Sequence, residues 1–228
     1  ELGSAGTAVG PIVRESAETL GISREAVAAR GGQDLKCSML GVGARLGDMV
    51  ISLTTSTAVS CVVDAPVLDG CRRLACSPFL SSGRWVLSGY LPSSGSTLKW
   101  FRDTLFPGVY AVLDAMAEPA FEETRDLFFY PHLAGAGSPV WQDDAAGALT
   151  SGGAISRAVL EGIAYQVRAN LDVMAENGAA PERVLVYGGG TRSRVWTQIL
   201  ADVLGREIVS SGNIGTGTSG AAALAAAG

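Results

Sequence analysis

Three short turns, each following a run of β-forming residues, constrain this chain more than any other feature. They are Gly31-Gly32-Gln33-Asp34, Thr54-Thr55-Ser56 and Gly188-Gly189-Gly190-Thr191. Ahead of them stand residues 27–29, 49–53 and 184–187, apolar runs too short to be helices. Segments of helical period follow the first and third turns. Strand, glycine turn, helix is the order of an α/β domain, whose ligand sits at the C-terminal ends of the strands. Glycines there let a backbone approach a ligand closely, and the free N–H groups of a following helix attract anions. Each turn alone is weak evidence, because α/β proteins also use glycine in turns for steric reasons. None carries the lysine of a Walker A loop, and none is a complete Rossmann fingerprint.

The rest of the chain keeps this alternation. Apolar spacing predicts a helix over 9–20, stopped by Gly21, and another starting at 35–40. Residues 57–63, 73–79 and 84–89 read as strands, and 95–106 and 109–116 as helices. Residues 127–133 read as extended, and 135–147 as a loop. The strongest helix is 155–176, where Val159, Ile163, Val167 and Leu171 repeat at helical spacing. Ser193 is placed to cap a helix ending near Gly205, a strand follows at 208–210, and the last helix covers 219–227.

Composition removes several function classes. Hydrophobic residues make up 47% of the 228, yet no apolar run reaches the length of a bilayer-spanning helix. The net charge is −5, with charges scattered singly, so there is no basic patch to meet nucleic acid. Cys37, Cys61, Cys71 and Cys76 match no zinc spacing, and read as small buried hydrophobes in a reducing cytoplasm. His132 has no companion metal ligands and reads as a structural, hydrogen-bonded histidine. Asp143 and Asp144 read as solvated loop charges, and Trp100 and Trp196 as core residues. The chain begins at Glu1 rather than Met, and both ends read as cuts through a longer protein.

Read in order, several segments resemble the FGGY carbohydrate kinases, and among them the xylulokinase-like members. They are GGQDLKCSMLGVG at 31–43, SGSTLKWFRD at 94–103, FFYPHLAGAGSPVW at 128–141, RAVLEG at 157–162 and GGGTRSRVWTQILADV at 188–203. The resemblance runs from Gly10 to Ala227. It implies a ribonuclease-H-like, actin-like ATPase domain, with a mixed sheet flanked by helices. Residues 1–228 would be the C-terminal nucleotide-binding domain, and an N-terminal sugar-binding domain would be absent from this chain. The implied reaction is phosphoryl transfer from ATP, with Mg²⁺ brought by the nucleotide, to a carbohydrate hydroxyl, most specifically of a ketose such as xylulose.

The resemblance makes Asp34 the general base, taking the proton of a sugar hydroxyl that is a poor nucleophile at neutral pH. A helix-capping role for Asp34 can coexist with this one. Gln33 and Asp34 would face the substrate. Thr54, Thr55, Gly95, Lys99, Gly189, Gly190 and Arg194 would contact the nucleotide. The family admits homodimers, and its members work in the cytoplasm. Three departures from the pattern stand out. Thr54 replaces a usual glycine, and a β-branched residue tolerates positive φ badly. Leu35 replaces a polar residue able to touch sugar hydroxyls. The connection from Gly147 to Arg157 is about ten residues shorter than the family's, against ordinary loop variation. These departures favour the alternative, a kinase-derived binding or regulatory protein without turnover.

Overall fold

The computed structural model describes residues 3–80, 83–105, 110–118, 127–149, 155–212 and 215–227. In chain order the elements are β1 (Ala8–Pro11), α1 (Arg14–Leu20), β2 (Val27–Ala29), α2 (Asp34–Gly41), β3 (Met49–Ser52), β4 (Thr57–Val63), β5 (Ala75–Pro78), β6 (Trp85–Leu91) and α3 (Gly95–Leu105). They continue with α4 (Tyr110–Ala117), β7 (Phe129–Tyr130), β8 (Ala148–Leu149), α5 (Ile155–Glu176), β9 (Val184–Tyr187), α6 (Arg194–Leu204), β10 (Ile208–Ser210) and α7 (Thr216–Ala227). A 3-10 turn, Gly189–Arg192, joins β9 to α6.

Six strands form one mixed sheet in the order β10-β9-β3-β4-β6-β5. The short link 53–56 can only fold β4 back beside β3, so that pair is antiparallel. β6 and β5 extend the antiparallel side. β9 lies parallel to β3 because the chain returns through the 22-residue helix α5 before pairing again. β10 pairs parallel to β9. This is the expected ribonuclease-H-like arrangement, mixed and flanked by helices, with β5 added at the outer edge.

Both faces of the sheet are covered, which is why β3 and β9 are unbroken apolar runs rather than alternating ones. Met49, Ile51, Val59, Cys61, Leu87, Val184 and Val186 point toward α3, α4, α5 and α6 and form the larger core. Val50, Val62, Val86, Leu185 and Tyr187 point the other way and meet Met39 of α2. Strand residues one apart therefore serve opposite layers. The α2 layer is completed by α7, packed almost backbone to backbone. A Cβ on Gly41 would strike the Thr216 carbonyl, and one on Gly220 the Cys37 carbonyl. Gly220→Val should therefore destabilise the chain by about 3 kcal/mol, as overpacking of a tight contact does. The check is a lowered urea midpoint at unchanged slope.

Two expectations need correction here. Residues 9–11 are not helical: 8–11 form β1, antiparallel to β2, and the helix begins only at Arg14. Pro11 lacks an N–H and pushes its predecessor toward extended backbone, so the backbone groups here pair with β2 instead. Gly21 ends α1 in left-handed conformation, as its position predicts. Of the four cysteines, Cys37 and Cys61 are buried and Cys76 is half-buried, but Cys71 is exposed. It sits in the turn whose polar groups are organised by Asp69, which accepts from Arg73. Burial pushes the Cys61 thiol up to about 11, with the charge of Asp48 adding to it. Iodoacetamide at pH 8 should accordingly modify Cys71 and spare Cys61 in the native chain, with all four labelled in denaturant.

Candidate nucleotide cleft and catalytic carboxylate

The two central turns emerge side by side because β3 and β9 are parallel and in register, with Ser52 opposite Tyr187. Leu53 N–H donates to the Tyr187 carbonyl at 2.8 Å, and the Leu53 carbonyl accepts from Gly190 N–H at 3.0 Å. The Thr54 hydroxyl donates to the Ser56 carbonyl at 2.8 Å, which closes its turn. That turn is held by the start of α3. Gly95 N–H donates to the Thr54 carbonyl at 3.0 Å and Ser96 N–H to the Thr55 carbonyl at 2.9 Å. Beneath them the buried hydroxyls of Thr57 and Ser94 share a hydrogen bond of 2.8 Å.

Close approach explains the glycines. A Cβ on Gly95 would meet the Thr54 carbonyl, and one on Gly190 would meet Leu53 and the Trp196 ring. Gly188 has φ +106°, and a Cβ there would also meet the Leu53 carbonyl. Gly189 has only open space where a Cβ would stand. Thr54 is fitted to its turn: among the described residues only Arg72 and Trp141 combine positive φ with a side chain. The strain expected from replacing glycine by Thr54 is therefore not present.

Beside these turns lies a cleft of about 960 Å³, walled by α3, α4, the 3-10 turn and the start of α6. Thr54, Thr55, Gly95, Lys99, Gly189 and Gly190 all line it. Arg194 does not. Ser193 is the N-cap of α6, accepting from Trp196 N–H at 3.0 Å, so Arg194 is the first helical residue and lies outside the cleft. Arg192, two positions earlier, lines it instead and makes no ion pair among the described residues. Lys99 is paired with Asp103 at 3.5 Å. The Arg102 guanidinium, aided by Lys99, holds the Asp103 carboxyl below its ordinary range, and it also stacks 4.4 Å over the Tyr110 ring.

Trp196 is buried, as its spacing suggests, but Trp100 is not a core residue. It is 43% exposed and lines the cleft. Helix α3 faces the core through Leu98 and Phe101, and the intervening positions, Lys99 and Trp100, fall on its outer side. The indole N–H of Trp196 is buried without a hydrogen-bond partner. Asp114 and Tyr110 of α4 also line the cleft, and no local pattern in the sequence marks them.

Asp34 lies at the same strand ends but on the α2 side, outside the cleft lining. It opens α2, is exposed, and accepts from Leu35 N–H at 2.6 Å, where the positive end of the helix favours an anion. Gln33 precedes it as an exposed N-cap without a side-chain cap bond. Leu35 turns into the core with Met39 and Val50, which accounts for an apolar residue at this place. The Tyr187 hydroxyl joins the two regions. Burial pushes its pKa up, hydrogen bonds with Ser38 of α2 and Ser52 of β3 oppose that, and the charge of Asp34 adds to it.

The remaining candidates are peripheral. His132 is half-buried, tilted against the Tyr130 ring at 6.4 Å between centroids, and burial lowers its pKa. Asp143 and Asp144 are exposed in their loop. Among the described residues no three His, Cys, Asp or Glu side chains gather to hold a metal, and no helix is long and apolar enough to cross a membrane. Within the short 147–157 connection, residues 150–154 lie outside the described residues.

A mixed sheet in this order, with tight turns at two parallel strand ends beside a deep cleft, defines a domain of the actin-like ATPase class. The chain belongs to the FGGY family of carbohydrate kinases, and residues 49–228 match the family's C-terminal domain. A gluconokinase of Bacillus licheniformis is 31% identical over 214 residues, covering 86% of this chain and 42% of that protein. A xylulose kinase of Escherichia coli (strain K12) is 30% identical over 232 residues, covering 95% of this chain and 46% of that one. The crystal structure of a ligand-bound xylulose kinase from Lactobacillus acidophilus superposes with a TM-score of 0.90 at 26% identity, over 99% of this chain and 47% of the other. The chain thus spans about half the length of the curated relatives it matches. Asp34 and the α2 helix precede the matched residues 49–228.

Proposed function

We propose that this chain is the nucleotide-binding part of a two-domain carbohydrate kinase that moves the γ-phosphoryl group of ATP to a hydroxyl of a small sugar or sugar acid. The observation that carries this reading is the cleft, which gathers six of the seven nucleotide-contact residues named from the sequence although they come from three separate segments. Thr55 offers a hydroxyl with no partner among the described residues, and Arg192, without an ion pair among them, supplies positive charge beside Gly189. These groups suit a triphosphate. The apolar walls at Leu53, Leu98 and Trp196 suit a nucleoside. Mg²⁺ would arrive with the nucleotide, bridging phosphate oxygens and neutralising charge that develops in transfer.

Asp34 acts as the base. Its carboxylate stands at solvent on the α2 side of the strand ends, where a sugar bound by a preceding domain can reach it. As the domains close, water is excluded and the sugar hydroxyl is aligned with the γ-phosphorus. A ketose such as xylulose is the substrate named by the sequence resemblance. The relatives' own substrates also include gluconate, so a polyhydroxylated carbon chain is the shared requirement. The test uses the full-length protein, following ADP release over xylulose, gluconate and glycerol. Sugar-dependent turnover with one of them is expected. Correctly folded protein that turns over none of them favours the non-catalytic alternative.

A further inference from the structure

Two carboxylates line the cleft, and their surroundings differ. Asp103 is held by Arg102 at 2.6 Å and by Lys99 at 3.5 Å. Asp114, half-buried on α4, accepts a single side-chain hydrogen bond among the described residues, from the Ser193 hydroxyl to Oδ1 at 2.7 Å. It has no ion pair, and its Oδ2 has no partner among the described residues. Ser193 has no proton left to donate to a ligand. Its proton goes to Asp114, and its oxygen already accepts from Trp196 N–H. The cleft therefore offers one carboxylate oxygen free to accept, at the junction of α4 and the start of α6.

Its position decides what it faces. Ser193 N–H donates to the Gly190 carbonyl at 3.1 Å, which places the Ser193–Asp114 pair just beyond the glycine turn. A carboxylate there would repel phosphate oxygens, so it suits an uncharged part of the nucleotide that donates protons. We infer that Asp114 is a specificity-determining residue, whose Oδ2 accepts a hydrogen bond from a donor on the nucleoside, either a ribose hydroxyl or the exocyclic amine of the base. This rests on the nucleotide reading above. It assigns the discriminating role to a residue on α4, 79 positions away in sequence from the serine that holds it.

The test is nucleotide titration of the full-length protein by calorimetry, using Asp114→Asn, which is the same size and still accepts from Ser193. ATP affinity should fall roughly tenfold or more, as expected for a lost hydrogen bond to a charged group. Two analogues identify the donor. If it is a ribose hydroxyl, 2′- or 3′-deoxy-ATP binds the wild type weakly and is indifferent to the substitution. If it is the amine, purine riboside triphosphate behaves so. Ser193→Ala removes the tether but leaves the carboxylate, and should keep most of the affinity. Asp114→Asn binding ATP within twofold of wild type overturns the assignment. So does Ser193→Ala losing as much as Asp114→Asn, since the pair would then act only in folding. A full-length wild type that binds no ATP overturns the nucleotide reading itself.

Discussion

Asp34→Asn in the full-length kinase should lower kcat by about 10² to 10⁴, the range that a positioned general base contributes, with the KM for ATP nearly unchanged. The separation of the two parameters is the informative part. Asp34 lies outside the cleft lining, so removing its charge leaves the nucleotide site intact. Among the described residues its carboxylate accepts from Leu35 N–H, a bond the asparagine oxygen still accepts, so the start of α2 is preserved. The measurement is steady-state kinetics with the sugar that supports turnover, together with a thermal melt. A variant that loses stability but keeps its kcat shows that Asp34 only supports the helix. A variant that loses affinity for ATP in proportion to kcat shows that the carboxylate belongs to the nucleotide site instead.

The second large effect is expected at Gly95, where Gly95→Val should weaken ATP binding about a hundredfold. A Cβ there would collide with the Thr54 carbonyl, which already accepts the Gly95 N–H at 3.0 Å. Both atoms are backbone, so no side chain can swing away. The turn or the start of α3 must move. Overpacking of this kind costs about 3 kcal/mol, and if it falls on the turn rather than the core it appears as roughly a hundredfold in affinity. Calorimetric titration of the variant reads the loss, and a denaturation curve shows how much appears as instability. Gly70→Ala is the matched control, because nothing lies within 4 Å of its Cβ position and it lies outside the cleft lining. Unchanged affinity in Gly95→Val would show that the Thr54–Thr55 turn takes no part in binding.

Much of this architecture could be read locally. Helix α5 spans Ile155–Glu176, as its periodicity predicts, and the strands at 184–187 and 208–210 have the predicted limits. Ser193 caps its helix through Trp196 N–H. These succeed because period and capping act within a few residues. Side-chain spacing at 9–11 is helical, but it carries no information about the partner strand that pairs Gly10 with Ala28. An aromatic residue on an amphipathic helix, as at Trp100, does not by itself say which face is covered.

The three glycine- and hydroxyl-rich turns mark where local information stops. Their existence, the need for glycine around them and an α/β domain of carbohydrate-kinase type are all legible along the chain. Strand propensity, turn chemistry and the order of motifs are all properties of short segments. That two of the turns meet at one cleft while Asp34 stands on the other layer emerges only from the folded chain. Only it decided that Arg192 rather than Arg194 faces that cleft, and that Asp114 keeps an oxygen free there. Those outcomes depend on the register of β3 against β9 and on the packing of α3, α4 and α6 around the sheet. Register and packing are fixed by contacts between residues tens of positions apart, which leave no mark on local spacing.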